Sequence, residues 1–197
     1  SPIMLKPLLT GISIDRTKER MRSQKNEEED DAPKAGHNAL LEKFFEGSSY
    51  GGSVLGNKES LDAIKKKDIE DFHRNYFRAG NIIAVVISDL EKEPLFEIFN
   101  KYLIEFPSGK PAEAKPNSIS IPQEKKISIE KDTKQFFVAL AFPLPKVTPK
   151  NFTLALLLEN LLGKGVDSKL WPLRIKEKLA YNVNSVATLM RDGGILE

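Results

Sequence analysis

The sequence predicts an α+β fold of two layered lobes, with mostly antiparallel sheets covered by helices, and three observations lead there. Apolar residues recur at helical spacing in several short segments. Two unbroken apolar runs, Ile82 to Ile87 and Phe136 to Phe142, have the length and the β-branched or aromatic content of strands buried on both faces. The order is helices, a strand, a helix, a proline-rich stretch, then strands, helices and strands, which segregates the two element types as layered α+β folds do.

Each element has a local reason. From about Asp15 to Asp31 nearly every residue is polar or charged and a good helix former, predicting an exposed helix that stops before Pro33. A second helix is expected from about Ala35 to Phe45, with Leu40, Leu41, Phe44 and Phe45 as its apolar stripe and Gly47 closing it. The glycines of Tyr50 to Gly56 read as a packing turn that could also line a cavity. Asn57 can cap a short helix carrying Leu61 and Ile64, and Ile69, Phe72 and Tyr76 recur along a helix from about Lys67 to Phe77.

The strand at Ile82 to Ile87 ends at Ser88-Asp89, and a helix carrying Leu95, Phe96, Ile98, Phe99 and Leu103 is expected to cover it. Between Phe106 and Glu124 the composition shifts to Pro, Ser, Lys and Glu, predicting a linker over 106–124 between lobes at 1–105 and 125–197. Ile127 and Ile129 alternate with polar residues as in a half-buried strand, and Gln135 to Phe142 reads as a buried one. Thr148-Pro149 has the cap-then-proline signature of a helix start, with the helix running to about Leu162. The terminal Gly193 to Glu197 reads as a strand, and together with the opening Ser1-Pro2-Ile3-Met4 it suggests a piece of a longer protein.

Composition removes several function classes. A net charge of +2, from 30 basic and 28 acidic residues mixed along the chain, gives no electrostatic case for nucleic acid or a membrane surface as partner. No apolar run approaches the roughly 20 residues of a membrane span. Without cysteine there is no thiol nucleophile and no thiolate metal site, and the compartment stays open, periplasmic or secreted as much as cytoplasmic. Gly163-Lys164-Gly165 follows a helix and lacks the Ser/Thr ending of a phosphate loop, so it reads as a helix-ending turn, and Lys65-Lys66-Lys67 reads as a solvated helix junction.

The leading functional pair is Arg174 and Tyr181, seven residues apart across a predicted helix-to-strand junction. Asp167 can cap that helix and Leu170, Leu173 and Leu179 give it an apolar side, so the guanidinium near its last turn and the phenol just into the next strand can face one cleft. Such a pair binds carbonyl or carboxylate oxygens. Spacing alone equally allows Arg174 in a surface ion pair with a nearby glutamate and Tyr181 packed with its hydroxyl at the surface.

The segments Tyr50 to Leu61, Asp68 to Phe77 and Asn81 to Asp89, in that order, resemble the latter part of one lobe of the pitrilysin/insulinase-type zinc metallopeptidases, including the processing-peptidase branch. Leu161 to Leu170 and Arg174 to Tyr181 resemble the start of the following lobe. The resemblance implies that family's lobe architecture, a zinc ion in the full enzyme or a partner subunit, and a peptide or unfolded polypeptide as substrate. It implies that the zinc is held by two histidines of a His-x-x-Glu-His helix and a downstream glutamate, with the helix glutamate as general base.

That signature is missing. His37 and His73 are the only histidines and neither stands in such a motif; His37 reads as a helix-start residue and His73 as an exposed helical one. The position of the third ligand falls at Asn26 counting from Glu19-Arg20, or at Lys25 counting back from Asp31-Ala32-Pro33, and neither supplies a carboxylate. Glu27, one or two positions away, is the alternative carboxylate. The expectation is therefore that this chain ligates no zinc.

Arg174 and Tyr181 match the Arg/Tyr pair that the family places in its non-zinc half, facing the metal across an enclosed chamber, where it is implied to hold the substrate backbone and stabilise the oxyanion. Three functions follow as expectations. The chain supplies the non-zinc half of a metalloendopeptidase, inactive alone, with a zinc-bearing partner subunit or in a homo- or heterodimer. Or a segment upstream of Ser1 carries the zinc motif in the same chain. Or the chain is a non-catalytic structural subunit that kept the fold.

Overall fold

The structure is a computed structural model and describes residues 2–113, 119, 126–134 and 136–197. Its elements are α1 (Pro2–Leu5), α2 (Gly11–Asp30), α3 (Ala32–Phe44), α4 (Lys58–Ala63), α5 (Lys66–Tyr76), α6 (Lys92–Leu103), β1 (Phe142–Leu144), α7 (Pro149–Gly163), α8 (Trp171–Ile175), β2 (Ala187–Leu189) and β3 (Gly194–Leu196), with 3-10 turns at Ser49–Gly51 and Ala79–Asn81. The chain divides into two compact units, one of residues 1–24 and 55–115 and the other of residues 25–54 and 116–197. None of the helices among the described residues is long and apolar enough to cross a membrane.

The helices form where their ends are written into the sequence. Asn57 and Ser60 make a reciprocal capping box at the start of α4, and the Thr148 hydroxyl accepts from the Asn151 amide at 3.1 Å with Pro149 in the first turn of α7. The break expected before Pro33 lies slightly earlier. Asp31 caps α3 by accepting from the Lys34 amide at 3.0 Å, so Pro33 sits in the first turn of the new helix, where its missing N–H costs nothing. After α3, Gly47 takes a φ of 81°, the left-handed conformation that glycine adopts without penalty, and the Ser48 amide returns to the Phe45 carbonyl.

In the second unit three short antiparallel strands form a sheet of order β1-β3-β2. Pro143 faces Ile195 in the register, and as β1 is an edge strand its missing N–H is tolerated. The core gathers where α3 meets β3: Phe44, Phe45 and Ile195 are buried, with Leu41, Tyr50, Ala141 and Met190 packed against them. Tyr50 packs edge-on against Phe45 at 5.8 Å and donates its hydroxyl to Asp192 at 3.1 Å, so of the glycine-rich turn Tyr50 to Gly56 its first residue packs, while Val54 is exposed.

In the first unit α2 presents no buried residue. Arg22 pairs with Asp62, and Lys18 donates to the Ile64 carbonyl at 2.6 Å, tying α2 to the end of α4. Leu61 and Phe106 are buried.

Several predicted strands are not regular. Ile82 to Ile87 has no regular structure and no strand partner among the described residues, with Ile83 and Ile87 at 90% and 96% exposure rather than buried on both faces. Phe136 to Ala141 is likewise irregular, the strand beginning only at Phe142, and Gln135 lies outside the described residues. The stretch around Ile127 and Ile129 forms no strand. A continuous apolar run specifies a strand only when neighbours on both sides supply its hydrogen bonds and cover its faces, and none of the described residues does this here. Of the expected 106–124 linker, residues 114–118 and 120–124 lie outside the described residues.

Candidate functional site

The site is built around α8, a five-residue helix whose start and end both differ from expectation. Leu170 rather than Asp167 stands at its N-cap, without a side-chain hydrogen bond, and Pro172 occupies its first turn. Two backbone bonds fix this start on the preceding helix: the Lys169 and Leu170 amides donate to the Leu161 and Leu162 carbonyls of α7 at 2.9 and 2.8 Å. These carbonyls belong to the last turn of α7, which has no partners within its own helix.

The helix ends by reversing. The Lys176 and Glu177 amides both return to the Pro172 carbonyl, Lys178 takes the left-handed conformation at a φ of 53°, and the Leu179 amide reaches back to the Leu173 carbonyl at 2.9 Å. Lys178 is the only non-glycine residue with positive φ among those described. A left-handed residue just past a helix closes its last carbonyls and turns the chain back on itself. That turn brings Tyr181 over Arg174.

The guanidinium carbon of Arg174 lies 5.1 Å from the centre of the Tyr181 ring and 4.9 Å from that of Trp171. Arg174 is half-buried, and Tyr181 is 80% exposed. The structure thus brings the two sequence-predicted residues together. It does so through a turn, because Tyr181 lies in an irregular stretch and β2 begins only at Ala187. Among the described residues no carboxylate or carbonyl pairs with Arg174, so the surface ion pair with a nearby glutamate is not formed. Its guanidinium lies against the two rings, while its N–H groups meet no acceptor among the described residues.

Beyond Tyr181, the buried Ser185 hydroxyl donates to the Glu159 carbonyl of α7 at 2.9 Å, and a Cβ on Gly163 would meet the Asn184 and Ser185 backbone closer than 3.0 Å. Entry to and exit from the Arg174–Tyr181 segment are therefore held at one helix end. Sequence reasoning missed Trp171 and Lys178. The signal for Trp171 was its spacing of three from Arg174, which puts both on one helix face.

The pair lies on an open surface. Two concavities lie elsewhere, one of about 420 Å³ against α5 that includes Leu5, Lys66 and His73, and one of about 600 Å³ beside α3 that includes Glu42, Phe45 and Lys126.

The described residues do not assemble a donor set that fits a zinc ion. His37, within α3 rather than at its start, pairs through Nδ1 with Glu197 at 2.7 Å. His73, half-buried on α5, bonds the Met4 carbonyl through Nε2 at 2.7 Å and stacks on Phe77. Glu27 is exposed on α2, and among the described residues no group of three His, Asp or Glu side chains is placed to hold a metal.

The family model described as the peptidase M16 inactive domain matches residues 63–197, well over half of the chain. The "Non-peptidase homolog YmxG" of Helicobacter pylori is 26% identical over 183 residues, covering 92% of this chain and 42% of the relative. The "Uncharacterized zinc protease YmxG" of Bacillus subtilis is 27% identical over 171 residues, covering 81% and 39%. Among solved structures, a peptidase M16 inactive domain from Pseudomonas fluorescens superposes with a TM-score of 0.80 at 24% identity, over 98% of this chain and 48% of that one. A protease from Helicobacter pylori gives 0.75 at 20% identity, over 95% and 47%. The α+β architecture is thus that of these proteins, and the chain spans less than half the length of each.

Proposed function

The chain belongs to the M16 peptidase family, and from that premise we propose that it serves as a non-catalytic, non-zinc part of an M16-type assembly. The observation that carries this reading is the match of residues 63–197 to the family's inactive-domain model, alongside a relative described as a non-peptidase homolog. The donor set agrees in kind, since both histidines are committed to other partners. In this reading residues 1–105 are the end of one lobe, 106–124 the linker and 125–197 the start of the next.

The test uses the full-length protein. Purified alone it is expected to leave an unfolded fluorogenic protein substrate intact, and to form a stoichiometric complex with an M16-type partner or a second copy by sedimentation. Chelator-sensitive hydrolysis by the full-length protein alone overturns the reading.

A second reading is favoured by one observation, the Arg174 guanidinium flanked by a ring whose phenol is exposed. Here the pair grips a polypeptide: the Tyr181 O–H donates to a backbone carbonyl, Arg174 supplies N–H donors and a fixed charge beside it, and cleavage is left to a zinc-bearing partner. Donors aimed at developing charge are worth about 10²–10³ in rate. Tyr181→Phe should then lower hydrolysis by the assembled protein by about that factor, with its metal content unchanged. Full activity in that variant leaves only the structural role.

A further inference from the structure

Arg174 lies close to two rings that differ in how firmly they are themselves held. Tyr181 is 80% exposed, sits in an irregular stretch, and has no other ring contact among the described residues. Trp171 is half-buried, stands at the first position of α8 with Pro172 beside it, and its amide donates to the carbonyl of buried Ser168 at 3.2 Å. Trp171 and Arg174 are three residues apart on one helix face, so their contact is set by the helix and does not depend on the turn that brings Tyr181 back.

A guanidinium stacked on an aromatic face keeps its N–H edge available while its plane is fixed. A long arginine side chain otherwise loses much rotamer freedom on gripping a ligand, and fixing it in advance removes that cost. We propose that Trp171 is the positioning residue of the Arg174–Tyr181 pair: its ring fixes the guanidinium plane so that the N–H edge is presented to acceptor oxygens of a bound polypeptide. The proposal rests on the polypeptide-binding reading of Arg174 and Tyr181. It goes beyond that reading by naming the residue through which Arg174 acts as a preorganised donor rather than a mobile surface charge.

Two readouts on the full-length protein separate the parts of this claim. The first is the NMR resonance of the Arg174 Nε–H, which senses the ring current of the indole whether or not any ligand binds. Trp171→Leu is expected to move it towards its free-arginine position, and Trp171→Phe to retain most of the shift. An unmoved resonance in Trp171→Leu overturns the positioning role.

The second readout is the affinity for a fluorescein-labelled, reduced and carboxymethylated lactalbumin, an unfolded polypeptide. Trp171→Leu is expected to weaken binding about three- to tenfold, Trp171→Phe less than about twofold, and the Trp171→Leu/Arg174→Leu double variant no more than Arg174→Leu alone. Losses that add in the double variant mean that Trp171 acts independently of Arg174 and refute the proposal. If Arg174→Leu and Tyr181→Phe both bind as the wild type does while the resonance still moves, the polypeptide-binding reading has failed and the stacking alone stands. Should the leucine variant not fold, Trp171→Met, which keeps bulk but carries no ring, has the same expected losses in both readouts.

Discussion

Lys178 offers the sharpest quantitative test of the turn on which the site depends. A non-glycine residue in the left-handed region costs about 1–2 kcal/mol, and at φ 53° Lys178 bears that cost. Lys178→Gly removes it but gives the unfolded chain about 0.5–1 kcal/mol of extra freedom, leaving a net gain of about 0.5 kcal/mol. Lys178→Val acts in the opposite direction, because a β-branched side chain at positive φ is more strained than lysine, by about 1 kcal/mol. For a chain of this size 1 kcal/mol moves the melting temperature by about 2–4 °C. The glycine variant is therefore expected to melt about 1–2 °C above the wild type and the valine variant about 2–4 °C below it, by differential scanning fluorimetry confirmed with urea midpoints. The gap between the two variants is the decisive quantity. If they melt together, the Leu179 amide does not return over a left-handed residue in solution, and the account of how Tyr181 reaches Arg174 fails with it.

Other outcomes follow from contacts already described. Gly163→Ala drives a methyl into the Asn184–Ser185 backbone and should cost about 1–3 kcal/mol in urea unfolding, since backbone cannot give way as a side-chain tip can; an unchanged midpoint means that the two segments are not packed. Thr148→Ala removes the cap of α7 and should cost about 1 kcal/mol, with Thr148→Ser restoring most of it. The hydrogen bond from Arg22, opposed by burial and aided by the charges of Arg22, Lys58 and Lys18, holds the Asp62 carboxyl below its ordinary value of 3.8. Because the folded-state pKa is depressed, this contribution is present above the unfolded pKa and is lost as pH falls through the folded one. Stability measured from pH 5 downwards should therefore fall less steeply in Asp62→Asn than in the wild type, and identical acid limbs would show that the Arg22 pair is absent.

What was legible in the sequence was whatever is decided locally. Asn57 with Ser60, and Thr148 with Pro149, place helix starts because the partners lie within one turn. Pro33 misled slightly, because proline both ends one helix and opens the next, and only the Asp31 cap settles which. The apolar runs at Ile82 to Ile87 and Phe136 to Ala141 were unreadable as to pairing, since the ladder partners of a strand are set by distant chain and not by the strand itself. The strands that do pair are short, and β1 includes a proline that a pattern search discounts. The Arg174–Tyr181 pair was visible as spacing and as family likeness. The means of bringing the two together was not, because nothing in a lysine announces a left-handed backbone.

The last turn of α7 has a wider consequence. Its Glu159, Leu161 and Leu162 carbonyls receive Ser185 on one side and Lys169 and Leu170 on the other, so the stretch carrying Trp171, Arg174 and Tyr181 leaves and returns at one place. Closing a free loop of roughly fifteen residues costs about 2.4 kcal/mol beyond a constant, and doubling its length adds only about 0.6 kcal/mol. Here the closure is met by hydrogen bonds outside Trp171, Arg174 and Tyr181. Such a loop is modular: its contents can be exchanged, lengthened or stripped of function while the frame that holds it folds as before. That is a physical route by which one architecture can serve both working peptidases and relatives that cleave nothing.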